Sequence, residues 1–165
     1  MLEYMKHKAD LKRDLKIGEI GEKKVHPFLE SKFNTTIVNN NDEDKFANFD
    51  FRNETRDLWI EHKERYRYNS TGLNTYYFDE VKLNRFRQLK QENPSIRGFI
   101  VWTFKDTRKI WEVDLNQLHE DGETCKWYIE PQHRDFGKGY KQHRQVVNVF
   151  ADETIKFDDF QFMRT

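Results

Sequence analysis

The clearest apolar pattern is residues 97–104, where Gly-Phe-Ile-Val-Trp-Thr-Phe follows an arginine without a charged interruption. A run of that kind predicts a strand covered on both faces. Residues 109–114 alternate apolar and polar, which predicts its hairpin partner across 105–108. A second hairpin is predicted from residues 49–52 and 58–63, turning within 53–57. Residues 10 to about 32 read as a helix with Asp10 as its N-cap, and Pro27 predicts a kink or a restart near residues 23–26. Residues 35–38 lean towards β structure, 39–45 form an acidic, Asn-rich loop, and 65–74 are a Tyr-rich connection. Residues 76–93 read as a second helix ended by Pro94, residues 114–119 as a short helix, and 126–129 and 145–150 as weaker strands. The order predicts an α/β fold, a central mixed β-sheet flanked by helices.

Helical phase singles out one acid. At about 100° per residue, Leu11, Leu15, Gly18, Val25, Leu29 and Phe33 share one stripe of the first helix, and Glu22 falls near its middle. A carboxylate on a packing face is costly unless paired or bound to a cation, so Glu22 is expected to turn inward towards the hairpin. The competing readings are a helix rotated to leave it wet and a structural pair with an arginine. On the second helix, Phe78, Val81, Phe86 and Leu89 define an apolar arc within which Lys82 and Arg85 project. Such cations either snorkel to the rim or reach a phosphate or the acids.

Composition changes the picture only in part. Charged residues are 35% of the 165 and mean hydropathy is −1.04, yet 14 Phe, seven Tyr and four Trp supply a core that disordered chains lack. One cysteine, Cys125, excludes an internal disulfide and makes a reduced, intracellular setting the expectation. No apolar stretch is long enough for a bilayer span and the start does not read as a signal peptide, so no membrane is expected. Net charge is zero, so any attraction to nucleic acid must be local. Residues 82–90 carry Lys82, Arg85, Arg87 and Lys90 without an acid, and residues 131–144 carry Arg134, Lys138, Lys141 and Arg144 against Asp135 alone. Either segment is a phosphate-contacting patch or an ordinary solvated surface.

Candidate chemistry sits in the first hairpin. Alternation puts Glu61 and Lys63 on one face of their strand and Ile60 and His62 on the other, with Asp50 opposite Glu61 or one step diagonal, about 5–8 Å away. Two facing carboxylates repel unless something positive, most simply a hard divalent cation, lies between them. A lysine two residues on can stabilise developing negative charge or position a water. The triplet alone means little, since Glu-x-Lys also begins at Glu22, Glu30, Glu43 and Glu80. Only Glu61 stands in a Trp-Ile strand following an Asp flanked by aromatics.

With these residues in view the chain resembles the PD-(D/E)xK nuclease superfamily, and Gly18-Glu19-Ile20-Gly21-Glu22 looks like the Gly-x-x-Gly-Glu opening of its resolvase-like members. The resemblance covers roughly residues 10–114 and implies a restriction-endonuclease-like core. Length and the lack of repeats or a low-complexity linker predict a single domain over 1–165, nuclease-like by the resemblance, with 115–165 a β-rich extension of unassigned role. By resemblance, Asp50, Glu61, Lys63 and Glu22 are the catalytic set. Asp50, Glu61, Glu22 and the His62 backbone carbonyl would hold Mg²⁺ or Mn²⁺. Lys82 would be the extra polar group that the following helix supplies, and with Arg85, Arg134, Lys138 and Lys141 would contact nucleic acid, DNA ahead of RNA. Tyr66, Tyr68, Tyr76 and Tyr77 are candidates to stack on bases or line the cleft. Phe49 stands where the motif's proline would be, a departure that removes no ligand. Two-site cleavage of a junction would need a homodimer, of which the sequence gives no sign. A non-catalytic nucleic-acid-binding module and a protein-interaction domain are the competing readings. The six histidines lack ligand spacing and no Gly-rich phosphate loop is present.

Overall fold

The computed structural model describes residues 2–43, 49–113, 127–135 and 141–157. A helix α1 (Leu2–Phe33) leads into β1 (Ile37–Asn39), a single turn α2 (Asn40–Glu43), β2 (Phe51–Asn53) and β3 (Leu58–Arg65). Then come a 3₁₀ turn (Ser70–Gly72), β4 (Thr75–Asp79), α3 (Glu80–Glu92), β5 (Arg97–Phe104) and β6 (Arg108–Val113). β7 (Trp127–Asp135), β8 (Lys141–Phe150), a 3₁₀ turn (Ala151–Glu153) and β9 (Ile155–Phe157) close the described chain. The main sheet is mixed and six-stranded, in the order β1-β2-β3-β5-β6-β9, and β4-β8-β7 form a separate sheet of three. β3 and β5 run parallel, with β4 and α3 in the connection between them.

Two apolar layers sandwich the main sheet. On one face Val25, Phe28 and Leu29 of α1 pack with Ile60, Val101 and Ile110. On the other, Leu83 and Phe86 of α3 and Phe78 and Val147 of the small sheet pack with Ile100, Trp102 and Trp111. Because consecutive residues of β5 serve opposite layers, the strand has to be apolar throughout. Gly98 lets α3 lie close to β5, since a Cβ there would run into the Phe86 ring. The Phe86 ring is fully buried and has nowhere to go. Gly98→Ala is expected to cost roughly 1–3 kcal/mol of overpacking. Urea unfolding checks this, and a midpoint equal to wild type would mean that the layer yields.

Several sequence expectations are corrected. α1 starts near residue 2, so Asp10 is interior and not a cap, and the helix runs through Pro27 without a break. Pro27 removes one N–H, but buried Val25, Phe28 and Leu29 hold the turns on both sides against the sheet. Leu15, in the predicted stripe, is 63% exposed, whereas Val25 and Leu29 further along it are buried. The reason is length: 32 residues make about 48 Å of helix, whereas the eight residues of β3 span about 27 Å. The second helix begins at Glu80, because Thr75–Asp79 is a strand paired with β8 through Tyr76↔Val149 and Phe78↔Val147. Val81 is consequently 66% exposed, and Leu83 and Phe86 form the buried face. Part of the Asn-rich loop is the α2 turn. The two weak strands lengthen into the β7–β8 hairpin, and the predicted helix at 114–119 and Cys125 lie outside the described residues. Among the described residues no helix is long and apolar enough to cross a membrane.

Candidate active site

The site begins with a bend in the chain. Phe51 and Phe49 would share a face in a regular strand, yet Phe51 packs in the α1 layer and Phe49 in the opposite one, 6.0 Å from the Trp59 ring. Asn40 clamps the bend between them: its N–H donates to the Asp50 carbonyl at 2.8 Å and its Nδ2 to the Phe49 carbonyl at 3.0 Å. β2 and β3 pair as Phe51↔Ile60 and Arg52↔Trp59, and the next step of that register sets Asp50 opposite Glu61.

The Asp50 carboxylate is fully engaged. Its Oδ2 accepts the His62 backbone N–H at 2.8 Å, and its Oδ1 accepts Asn41 Nδ2 at 2.9 Å. The same Asn41 Nδ2 donates to Glu22 Oε1 at 3.0 Å, so one amide bridges an acid of α1 and the acid at the bend. Gly21 makes this approach of helix to sheet feasible, since a Cβ there would lie 2.6 Å from Glu64 Oε2 and 3.2 Å from His62 Cε1. Glu61, buried, lies with Oε2 2.9 Å from Lys82 Nζ and Oε1 3.9 Å from Lys63 Nζ. That Lys82 contact is an ion pair without hydrogen-bond alignment, which leaves buried Oε2 with no hydrogen bond.

Electrostatics follow from this crowding. Burial works against the Asp50 charge, but hydrogen bonds from Glu61, Asn41 and the His62 N–H, helped by Lys63, hold its carboxyl below the usual value. Burial and then the Asp50 charge push Glu61 well above its ordinary value, with Lys63 and Lys82 opposing. The facing pair is thus driven apart, Asp50 towards its charged form and Glu61 towards its neutral one. Burial and Asp50 also raise Glu22, to about 7.

His62 turns its ring to the α1 side, as alternation predicts. Its Nε2 lies 2.8 Å from Thr103 Oγ1, whose hydroxyl donates to Glu64 Oε2 at 2.5 Å. Burial there depresses the imidazole to about 4. The ring thus anchors the strand whose N–H serves Asp50, and it is no ligand from the Glu61 side.

The basic residues divide. Lys82 joins the acids, whereas Arg85 Nη1 donates to Gln88 along the surface of α3 at 3.2 Å. Arg144 lies 2.8 Å from Asp79 and binds Gln132, so it ties β8 to β4 and β7. The backbones of Arg134 and Lys141 belong to the β7–β8 hairpin, while their side chains and Lys138 lie outside the described residues. Tyr76 is buried with its hydroxyl on the Ser70 carbonyl at 3.3 Å, and Tyr66 packs against Arg67. Asn40 and Asn41 went unnoticed in the sequence as site residues. Their signal was the Asn-Asn-Asn run, in which Asn39 Oδ1 accepts the Asn41 N–H at 2.9 Å in a turn ahead of the acid.

As the side chains stand, no group of three or more His, Cys, Asp or Glu among the described residues could hold a metal ion. Neither a family model, nor a curated protein, nor a solved structure matches this chain.

Proposed function

We propose that this chain is a divalent-metal-dependent nuclease of the PD-(D/E)xK type on a restriction-endonuclease-like core, cutting DNA in preference to RNA. One observation carries the reading: Glu22 of α1, Asp50 at the bend and Glu61 of β3 gather at one place with the ammonium groups of Lys63 and Lys82. The donors are all hard carboxylate oxygens, the set that suits Mg²⁺ or Mn²⁺. Buried Glu61 Oε2 lacks a hydrogen bond, and one neutral amide bridges Glu22 and Asp50. Both features suit a cation. Against them stands the arrangement of the side chains, in which no three acids or histidines among the described residues are placed to hold one ion.

In this reading Asp50 and Glu61 hold the ion, with Glu22 assisting directly or through water. The ion would supply Lewis-acid polarisation of the phosphoryl group and a more acidic water. Lys63 would stabilise the negative charge that builds on the phosphoryl oxygens. The His62 N–H keeps Asp50 ionised and aimed, and its ring, held by Thr103, fixes that N–H. Lys82 would hold Glu61 Oε2 until the cation displaces it.

A second reading has one observation of its own. Asn41 and Lys82 already satisfy much of the acid charge, as a purely structural polar cluster inside a non-catalytic module would require. Calorimetric titration with Mn²⁺ and cleavage assays on linear, nicked, single-stranded, flapped and four-way DNA separate the two. Binding together with cleavage that EDTA abolishes is expected. Neither binding nor cleavage would leave the structural cluster.

A further inference from the structure

A crevice of about 380 Å³ opens beside the proposed site, on the same face of the main sheet. Glu61, Lys63 and Arg65 alternate along β3, so Arg65 stands one side-chain step, roughly 6.6 Å, beyond Lys63. The strand pairing sets Lys63 beside Trp102 and Arg65 beside Phe104, and those two rings form the floor. Arg65 and Tyr77 make one wall: the guanidinium covers the Tyr77 ring at 4.3 Å and donates to the Tyr77 carbonyl at 2.9 Å. Gln132, whose Oε1 accepts from Arg144 at 2.9 Å, brings an amide to the rim. Tyr68 also lines the crevice and is 55% exposed.

The loop bearing Tyr68 is tied down although its ring is not covered. The Tyr68 N–H donates to the Arg65 carbonyl at 3.1 Å, and the Lys105 N–H donates to the Tyr68 carbonyl at 3.0 Å. Two residues on, Ser70 donates its N–H and its hydroxyl to the Asp106 carboxylate at 2.7 and 2.6 Å. A rigidly mounted aromatic face beside a cationic strand is the arrangement that stacks an unpaired base while the adjoining phosphate is held. The volume falls in the range of small-ligand sites, and only a base freed from a duplex stack can offer its flat face to Tyr68.

We propose that this crevice receives one unpaired nucleobase adjoining the phosphodiester at the carboxylate site, so that the protein takes single-stranded or locally unpaired nucleic acid. The proposal deepens the nuclease reading and rests on it for the adjoining phosphate. Single-stranded DNA, single-stranded RNA and duplex DNA, each carrying the stacking-sensitive base 2-aminopurine, would be titrated with the full chain in EDTA. Wild type and Tyr68→Phe are expected to quench the label in single strands and not inside a duplex. Tyr68→Ala should bind the single strands roughly 5- to 150-fold more weakly, the value of one base–aromatic stack. Equal binding by Tyr68→Ala, or equal quenching in the duplex, would overturn the proposal. Cleavage in Mn²⁺, followed with the same strands, keeps the two readings apart. Absence of cleavage with stacking intact removes the nuclease and leaves the base site. Cleavage of single strands that Tyr68→Ala does not slow removes the base site and leaves the nuclease.

Discussion

Lys63→Ala should lower kcat for DNA cleavage by roughly 10²–10³-fold, the usual consequence of removing one preorganised charge-stabilising group. Metal affinity should not fall with it. Lys63 Nζ stands 3.9 Å from Glu61 Oε1 and competes with a cation for that carboxylate, so Mn²⁺ binding should be unchanged or tighter in the variant. Lys82→Ala should behave differently. Its ammonium lies 2.9 Å from the other oxygen of Glu61, and removing it frees a ligand without deleting the strand lysine beside the crevice. Single-turnover rates at saturating Mn²⁺, with calorimetric Mn²⁺ affinities for both variants, distinguish the two roles. Wild-type turnover by Lys63→Ala would remove Lys63 from the chemistry. A large loss in Lys82→Ala alone would transfer its role to α3.

What the sequence made legible was local. Alternation along β3 was enough to set His62 and Glu61 on opposite faces, because a strand has only two. Helical phase was enough to turn Glu22 towards the sheet, since Val25 and Leu29 fix the rotation of that part of α1. The same phase failed at Leu15, because periodicity says nothing about where the sheet ends. The stretch at β4 failed for a related reason: four residues of Tyr-Tyr-Phe-Asp fit either period, and only pairing with β8, some seventy residues away, decides for the strand. With β4 read as helix, β8 had no partner, and the small sheet went unforeseen. Asn41 escaped because an amide in an Asn-rich turn looks like any other, whereas its value lies in reaching two acids from distant segments. Arg144 illustrates the reverse. It looked like part of a basic patch, and Asp79 claims it.

In EDTA, thermal stability should fall as pH rises from about 6.5 through 7 and beyond, and Mn²⁺ should restore it. Glu22 titrates near 7 in the folded protein against an ordinary 4.5, and Glu61 is displaced in the same direction. Between the unfolded and folded values the native state therefore binds more protons than the unfolded chain. Stability from these groups is complete at low pH and is lost as pH climbs through the folded value. His62 works the opposite way, because its imidazole is depressed from 6.5 to about 4, so its contribution is gained as pH rises over that interval. The two slopes oppose each other below about 6.5, and only above it does the carboxylate slope stand alone. Glu22→Gln should flatten this upper limb and, below it, leave the rising His62 slope less opposed. A cation held by the same acids substitutes for their protons, so its affinity should rise over the same interval. At a hundred times its dissociation constant it would add about 2.7 kcal/mol, a rise of roughly 5–10 °C in Tm for a chain of this size. Asp50→Asn should lose most of that rise, since it removes a charged ligand while keeping a side chain that fills the same space. Melting curves from pH 5 to 9, with EDTA or Mn²⁺, provide the measurement. An upper limb that is flat in wild type, or a Mn²⁺ shift as large in Asp50→Asn, would mean that these acids are neither strained together nor the seat of the cation.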